Sequence, residues 1–126
     1  MHILIAADAD YVVNDIVSAL SGPDTSFTVC HEGRDVSPIV AERTPDLVIL
    51  DLQIGSMGGM AATMALRLDA SAGKAPDVKI LMLLDRAADI HLAKRSAANA
   101  WIVKPFDALT LQVAVDAAMG TAPVAG

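Results

Sequence analysis

Pro45-Asp46-Leu47-Val48-Ile49-Leu50-Asp51 is the stretch on which the fold turns. Pro45 opens it, four aliphatic residues run without a break from Leu47 to Leu50, and Asp51 closes it. A strand with one wet face alternates apolar and polar residues. An unbroken apolar run of this length instead predicts a strand buried on both faces of a parallel sheet.

Working outward, the same short aliphatic runs alternate with longer amphipathic ones. Ile3 to Ala7 reads as a first buried strand, and Tyr11 to Leu20 as a helix stopped by Ser21-Gly22-Pro23. Phe27 to Cys30 is the next strand. Val36 to Arg43 is the next helix, capped by Asp35 or Ser37, with Pro38 tolerable in its first turn. Beyond Asp51, the glycine-rich Gly55–Gly59 loop leads to a helix over Met60 to Leu68, and Ala70 to Asp77 forms a loop. Val78 to Leu84 is a fourth strand, Asp89 to Ala98 a helix and Ala100 to Val103 a fifth strand. Asp107 caps a last helix that runs to Met119. These βα units predict one domain over residues 1–119 and a frayed tail over 120–126. The architecture expected is an open parallel sheet with helices on both faces and right-handed crossovers.

Composition narrows the possible functions. A chain of 126 residues fits a single domain and needs no staple of disulfides or metal. With 54% apolar and 19% charged residues, its body is not disordered. Aromatics are only 3% and the net charge is −6, so neither base stacking nor phosphate neutralisation favours a nucleic-acid or anionic-membrane partner. Cys30 is the single cysteine, which excludes a disulfide framework, and His2, His31 and His91 are scattered. Leu52 to Leu66, the longest uncharged stretch, is too short for a span of about 20 apolar residues. Ile3 to Ala7 lacks a basic leader, so the cytoplasm is the expected compartment.

In open sheets of this kind ligands bind beyond the carboxyl ends of the strands. Asp8, Asp51 and Lys104 stand at three of those ends, with Asp85 after a fourth. Taken singly, such acids are ordinary caps and turn residues and such a lysine is solvated. Together they make a chemically sensible set. Two carboxylates suit Mg²⁺, and one of them can act as nucleophile toward a phosphoryl group while Mg²⁺ and Lys neutralise charge.

Over residues 2–119 the chain resembles the receiver domains of two-component response regulators. The resemblance rests on Pro45 to Ile54, on Met57-Gly58-Gly59, and on Ala100-Trp101-Ile102-Val103-Lys104-Pro105-Phe106. It implies a doubly wound five-stranded sheet of order 2-1-3-4-5 with five helices, a flavodoxin-like fold. It further implies that Asp51 accepts a phosphoryl group and that Asp8, Asp51 and the Gln53 carbonyl hold Mg²⁺. Lys104 would pair with phosphoryl or carboxylate oxygens, and the Lys104–Pro105 bond would be cis. The partners implied are a histidine kinase or phosphotransfer protein and a downstream protein, with a homodimer as a further option, and the face carrying His91, Arg95, Trp101 and Gln112 is the docking or dimer face the resemblance implies. A receiver of this kind is a phosphoacceptor rather than an enzyme.

Four positions depart from the family's pattern. Ala7 stands where an acid usually precedes Asp8, which implies weaker Mg²⁺ binding, and Asp10 is expected to be an N-cap rather than a substitute. Leu84 stands in place of the Thr or Ser that bonds the phosphoryl oxygen. A hydrogen bond to a charged group is worth roughly 1.5–3 kcal/mol, so this loss removes roughly ten- to a hundredfold of bias toward a switched state. Asp85 replaces a small residue and brings negative charge to the rim. Trp101 stands where a rotating Tyr or Phe is common; it is expected to pack on the last helix, with partner contact as the functional alternative.

Three functions therefore compete. The first is a stand-alone receiver phosphorylated on Asp51, with output in trans because no effector module follows residue 119. The second is a degenerate receiver that acts as a phosphorylation-independent interaction module. A flavodoxin-like cofactor binder is a weaker third, since the Gly55–Gly59 loop matches neither the dinucleotide fingerprint nor the P-loop pattern.

Overall fold

The computed structural model describes residues 1–120, so the tail expected over 120–126 lies outside the described residues apart from Gly120. Five strands, β1 (His2–Ala6), β2 (Ser26–Cys30), β3 (Leu47–Asp51), β4 (Lys79–Leu84) and β5 (Ala100–Val103), alternate with five helices. The helices are α1 (Asp10–Leu20), α2 (Val36–Glu42), α3 (Gly59–Ser71), α4 (Ile90–Arg95) and α5 (Ala108–Met119). All strand pairs are parallel and the sheet order is β2-β1-β3-β4-β5. This is the doubly wound order anticipated from the sequence.

The pleat explains the unbroken apolar runs. Ile3, Ile5, Ile49, Leu81 and Leu83 point to one face, where Val12, Ile16, Leu111 and Val115 of α1 and α5 cover them. Leu4, Val48, Leu50 and Ile80 point to the other, against Val36, Val40 and Leu66 of α2 and α3. Each such side chain contributes about 1.5–3 kcal/mol by leaving water. One step along β3, the same pleat leaves Asp51 at the rim, where Cα pairing sets it opposite Leu83.

Several local expectations are corrected. Asp10 is the first residue of α1 rather than its cap, which is Ala9. Asp35 occupies the cap position of α2 without a side-chain bond to it, whereas Asp107 and Thr110 form a full capping box on α5. Helix α3 continues to Ser71, three residues past Leu68.

The helix expected over Asp89 to Ala98 is shorter, a 3₁₀ turn over Ala87–Asp89 followed by α4. It ends because Ala97 adopts φ +64, in the left-handed region. The N–H groups of Ala97 and Ala98 turn back to the carbonyls of Lys94 and Ala93, at 3.1 Å each, as in a Schellman closure. Arg67 locks this turn from α3. Its guanidinium donates to the Ala97 carbonyl at 3.1 and 2.9 Å, to Asn99 Oδ1 and Asp77 Oδ1, and to the Val78 carbonyl.

Candidate functional site

The carboxyl ends of β1, β3, β4 and β5 converge on one rim. Asp51 leads there from the most buried strand and is only 5% exposed. Its two oxygens have separate partners: Oδ1 accepts the Gln53 N–H at 3.0 Å, and Oδ2 accepts Lys104 Nζ at 2.7 Å. Gln53 itself is exposed. Two glycines make this loop possible. Gly58 has φ 74 and ψ 149, a combination essentially restricted to glycine. A Cβ on Gly59 would lie 2.5 Å from the Asp51 carbonyl oxygen and 2.6 Å from Leu52 Cα, so only glycine lets α3 start this close to β3.

Lys104 follows β5, and its backbone N–H bonds the Leu84 carbonyl at 2.7 Å, extending the β4–β5 ladder to the rim. The Lys104–Pro105 peptide is cis. The ammonium serves two acids, Asp51 at 2.7 Å and Asp85 Oδ1 at 3.0 Å. Burial opposes its charged form and is the largest single influence. The hydrogen bonds Lys104 donates to Asp51 and Asp85, with the attraction of both charges, together outweigh it, leaving the Lys104 pKa above the ordinary lysine value. A cleft of about 320 Å³ opens beside Lys104, with Tyr11, Val12, Asp15 and Asp85 in its wall.

Asp8 is exposed and is held by the β3–α3 loop: its Oδ2 accepts the Gly55 N–H at 2.9 Å. Gly55 is fixed in turn by the Gly33 N–H on its carbonyl, at 2.9 Å, within a short Glu32–Gly55 bridge. The sequence presents Gly55 only as the first glycine of a glycine-rich loop. Its role as the donor that sets Asp8 becomes visible once the two loops meet. Ala7 is fully buried and pairs its N–H with the Cys30 carbonyl, so that position belongs to the core. Asp10 turns instead to His31 Nε2, at 3.3 Å.

Leu84 is fully buried with Leu52, Met82 and Ala93, and Trp101 packs against the same cluster. The indole therefore sits largely under α4, with Lys94 Nζ 5.6 Å from its ring centroid, while its edge lines a groove with Leu109 and Val113 of α5. Among the described residues no cluster of three or more His, Cys, Asp or Glu groups is arranged to hold a metal. Two carboxylates and a backbone carbonyl nonetheless fit Mg²⁺, which keeps several waters and rarely takes an all-protein cage. No described helix is long and apolar enough to cross a membrane.

Comparison with known proteins converges on one family. The family model of the response regulator receiver domain matches residues 3–116. The regulatory protein LuxO of Vibrio cholerae is 32% identical over 107 residues, 81% of this chain but 22% of LuxO. The DNA-binding response regulator MtrA of Mycobacterium tuberculosis is 31% identical over 83% of this chain and 44% of its own length. The chain thus spans less than half of these two relatives. PilH of Pseudomonas aeruginosa matches end to end, at 26% identity over 94% of this chain and 97% of PilH.

Among solved structures, the receiver domain of a Pseudomonas aeruginosa PAO1 sensor histidine kinase, with magnesium coordinated in its active site cleft, superposes with TM-score 0.80 at 19% identity. That match covers 94% of this chain and 97% of the other. The chemotaxis response regulator CheY4 of Vibrio cholerae gives 0.79 at 22% identity, covering 93% and 97%. These structural likenesses bear on the fold, and with the family match they make the chain a member of the response regulator receiver domain family.

Proposed function

We propose that the protein is a phosphoacceptor: Asp51 takes a phosphoryl group from the phosphohistidine of a histidine kinase or phosphotransfer protein, and the product signals by protein contact. The observation that carries this reading is the pair of restraints on Asp51, Lys104 Nζ on Oδ2 and the Gln53 N–H on Oδ1. They aim a nearly buried carboxylate and place a cation beside it, as a nucleophile requires. A carboxylate oxygen forms the new P–O bond with its own electron pair while the P–N bond breaks and its pair returns to the imidazole. Lys104 stays near to neutralise charge on the phosphoryl oxygens.

Asp8, Asp51 and the Gln53 carbonyl are the residues that would hold Mg²⁺, bound weakly because Ala7 supplies no second acid beside Asp8. When bound, the ion supplies further neutralisation of phosphoryl charge. Incubation with acetyl phosphate and Mg²⁺ followed by intact-mass measurement tests the reading. One added phosphoryl group, absent from Asp51→Asn, is expected, and no adduct at high Mg²⁺ contradicts it.

A second reading, a phosphorylation-independent interaction module, is favoured by two observations. Asp85 already occupies Lys104, and the fully buried Leu84 offers no hydroxyl. Equal partner binding by the wild type and Asp51→Ala supports this module, and a large difference removes it.

A further inference from the structure

Lys104 is the cation expected to meet the phosphoryl group, yet one of its donors is already taken by an acid outside the Asp8–Asp51 pair. Asp85 Oδ1 lies 3.0 Å from Lys104 Nζ, and the Asp85 side chain is 43% exposed, so no core packing forces it there. Its neighbour Arg86 turns away to the buried Asp89, at 2.8 Å, and so does not draw Asp85 off the lysine. We infer that Asp85 is an internal competitor for Lys104, a positioning residue that occupies the ammonium in the resting protein and sets how fast Asp51 is phosphorylated. This rests on the phosphoacceptor reading.

Charge and donor count set the competition at Lys104. An ammonium has three donors. With Asp51 and Asp85 engaged, an incoming phosphoryl group must share or displace an existing carboxylate. It must also approach a site whose fixed charge includes one more anion than the chemistry uses. Loss of Asp85 leaves the Asp51–Lys104 contact in place and releases a donor toward the cleft. Removing one unit charge a few ångströms from the reacting phosphorus, in surroundings between water and protein interior, corresponds to about a tenfold change in rate. In the step itself, a carboxylate oxygen of Asp51 forms the P–O bond as the donor's P–O bond breaks and acetate leaves with that electron pair.

The experiment follows phosphoryl uptake from acetyl phosphate, at fixed pH and Mg²⁺, in the wild type, Asp85→Asn and Asp85→Glu. Lys104 labelling by picrylsulfonate, read by peptide mapping, is measured in parallel. Asp85→Asn is expected to react about tenfold faster than the wild type and to label Lys104 more readily, while Asp85→Glu, which keeps the charge, stays slow. A silent wild type beside a reacting Asp85→Asn also supports the inference. Equal rates in wild type and Asp85→Asn, or a fast Asp85→Glu, overturn it and leave the phosphoacceptor reading standing. So does unchanged Lys104 labelling. An adduct on no variant overturns the phosphoacceptor reading, and the inference with it.

Discussion

Asp51 and Lys104, 53 residues apart in the chain, meet at 2.7 Å where β3 and the end of β5 reach the same rim. The side chains are 8% and 18% exposed, so the pair is shielded without being sealed. Breaking such a pair leaves a carboxylate short of its cation. Lys104→Met is therefore expected to cost about 1–3 kcal/mol in urea unfolding. Asp51→Asn should cost less, because Lys104 keeps Asp85.

The raised Lys104 pKa fixes the sign of a pH effect. A group whose pKa is higher folded than unfolded stabilises fully below its unfolded value and loses that contribution as pH climbs through the folded one. The wild type should therefore lose its advantage over Lys104→Met only above about pH 10.4. Melting curves from pH 8 to 11 check this, and a constant difference across that range contradicts it.

Gly59→Ala tests the close approach of α3 to β3. Its Cβ would press on the Asp51 carbonyl at 2.5 Å, backbone against backbone, where neither side yields easily. A loss of about 1–3 kcal/mol is expected in urea unfolding, together with slower phosphoryl uptake from a displaced Asp51.

At Ala97 the opposite change should help. An alanine held at φ +64 is strained where glycine is not, so Ala97→Gly should raise stability by about 0.5–1 kcal/mol. Arg67→Ala, which empties the clamp on that turn, should lower it by about 2–4 kcal/mol. Thermal melts of the two variants read both directions.

Burial pushes the Cys30 thiol up to about 11, the nearby Asp35 charge adds to the rise, and a backbone hydrogen bond from Glu32 opposes it. The thiol should react slowly with a disulfide reagent at pH 8 in the folded protein and quickly once unfolded, since the thiolate is the nucleophile. Fast labelling of the native protein contradicts this placement.

The sheet could be read from the chain because its signal is local: Leu47 to Leu50 and Ile3 to Ile5 announce two-faced burial without reference to anything distant. The rim could be read as residue types at strand ends, and Lys104 does meet Asp51 there. What escaped the sequence depends on contacts across the chain or on unusual backbone. Nothing in Ala97 marks a helix end, because glycine is the usual signal and a guanidinium 30 residues upstream supports the turn instead. Gly55 gives no sign of holding Asp8, 47 residues before it. Asp85 announces its charge, but its choice of Lys104 over solvent is settled by the β4–β5 pairing.

Asp51, and no other side chain, is expected to become the acyl phosphate. Treating the protein with acetyl phosphate and Mg²⁺, reducing it with borohydride and mapping its peptides reads this out, because hydride converts an aspartyl phosphate to homoserine. Homoserine at position 51, and at no other aspartate, is the predicted result. An intact Asp51 with homoserine elsewhere, or no homoserine at all, would contradict it.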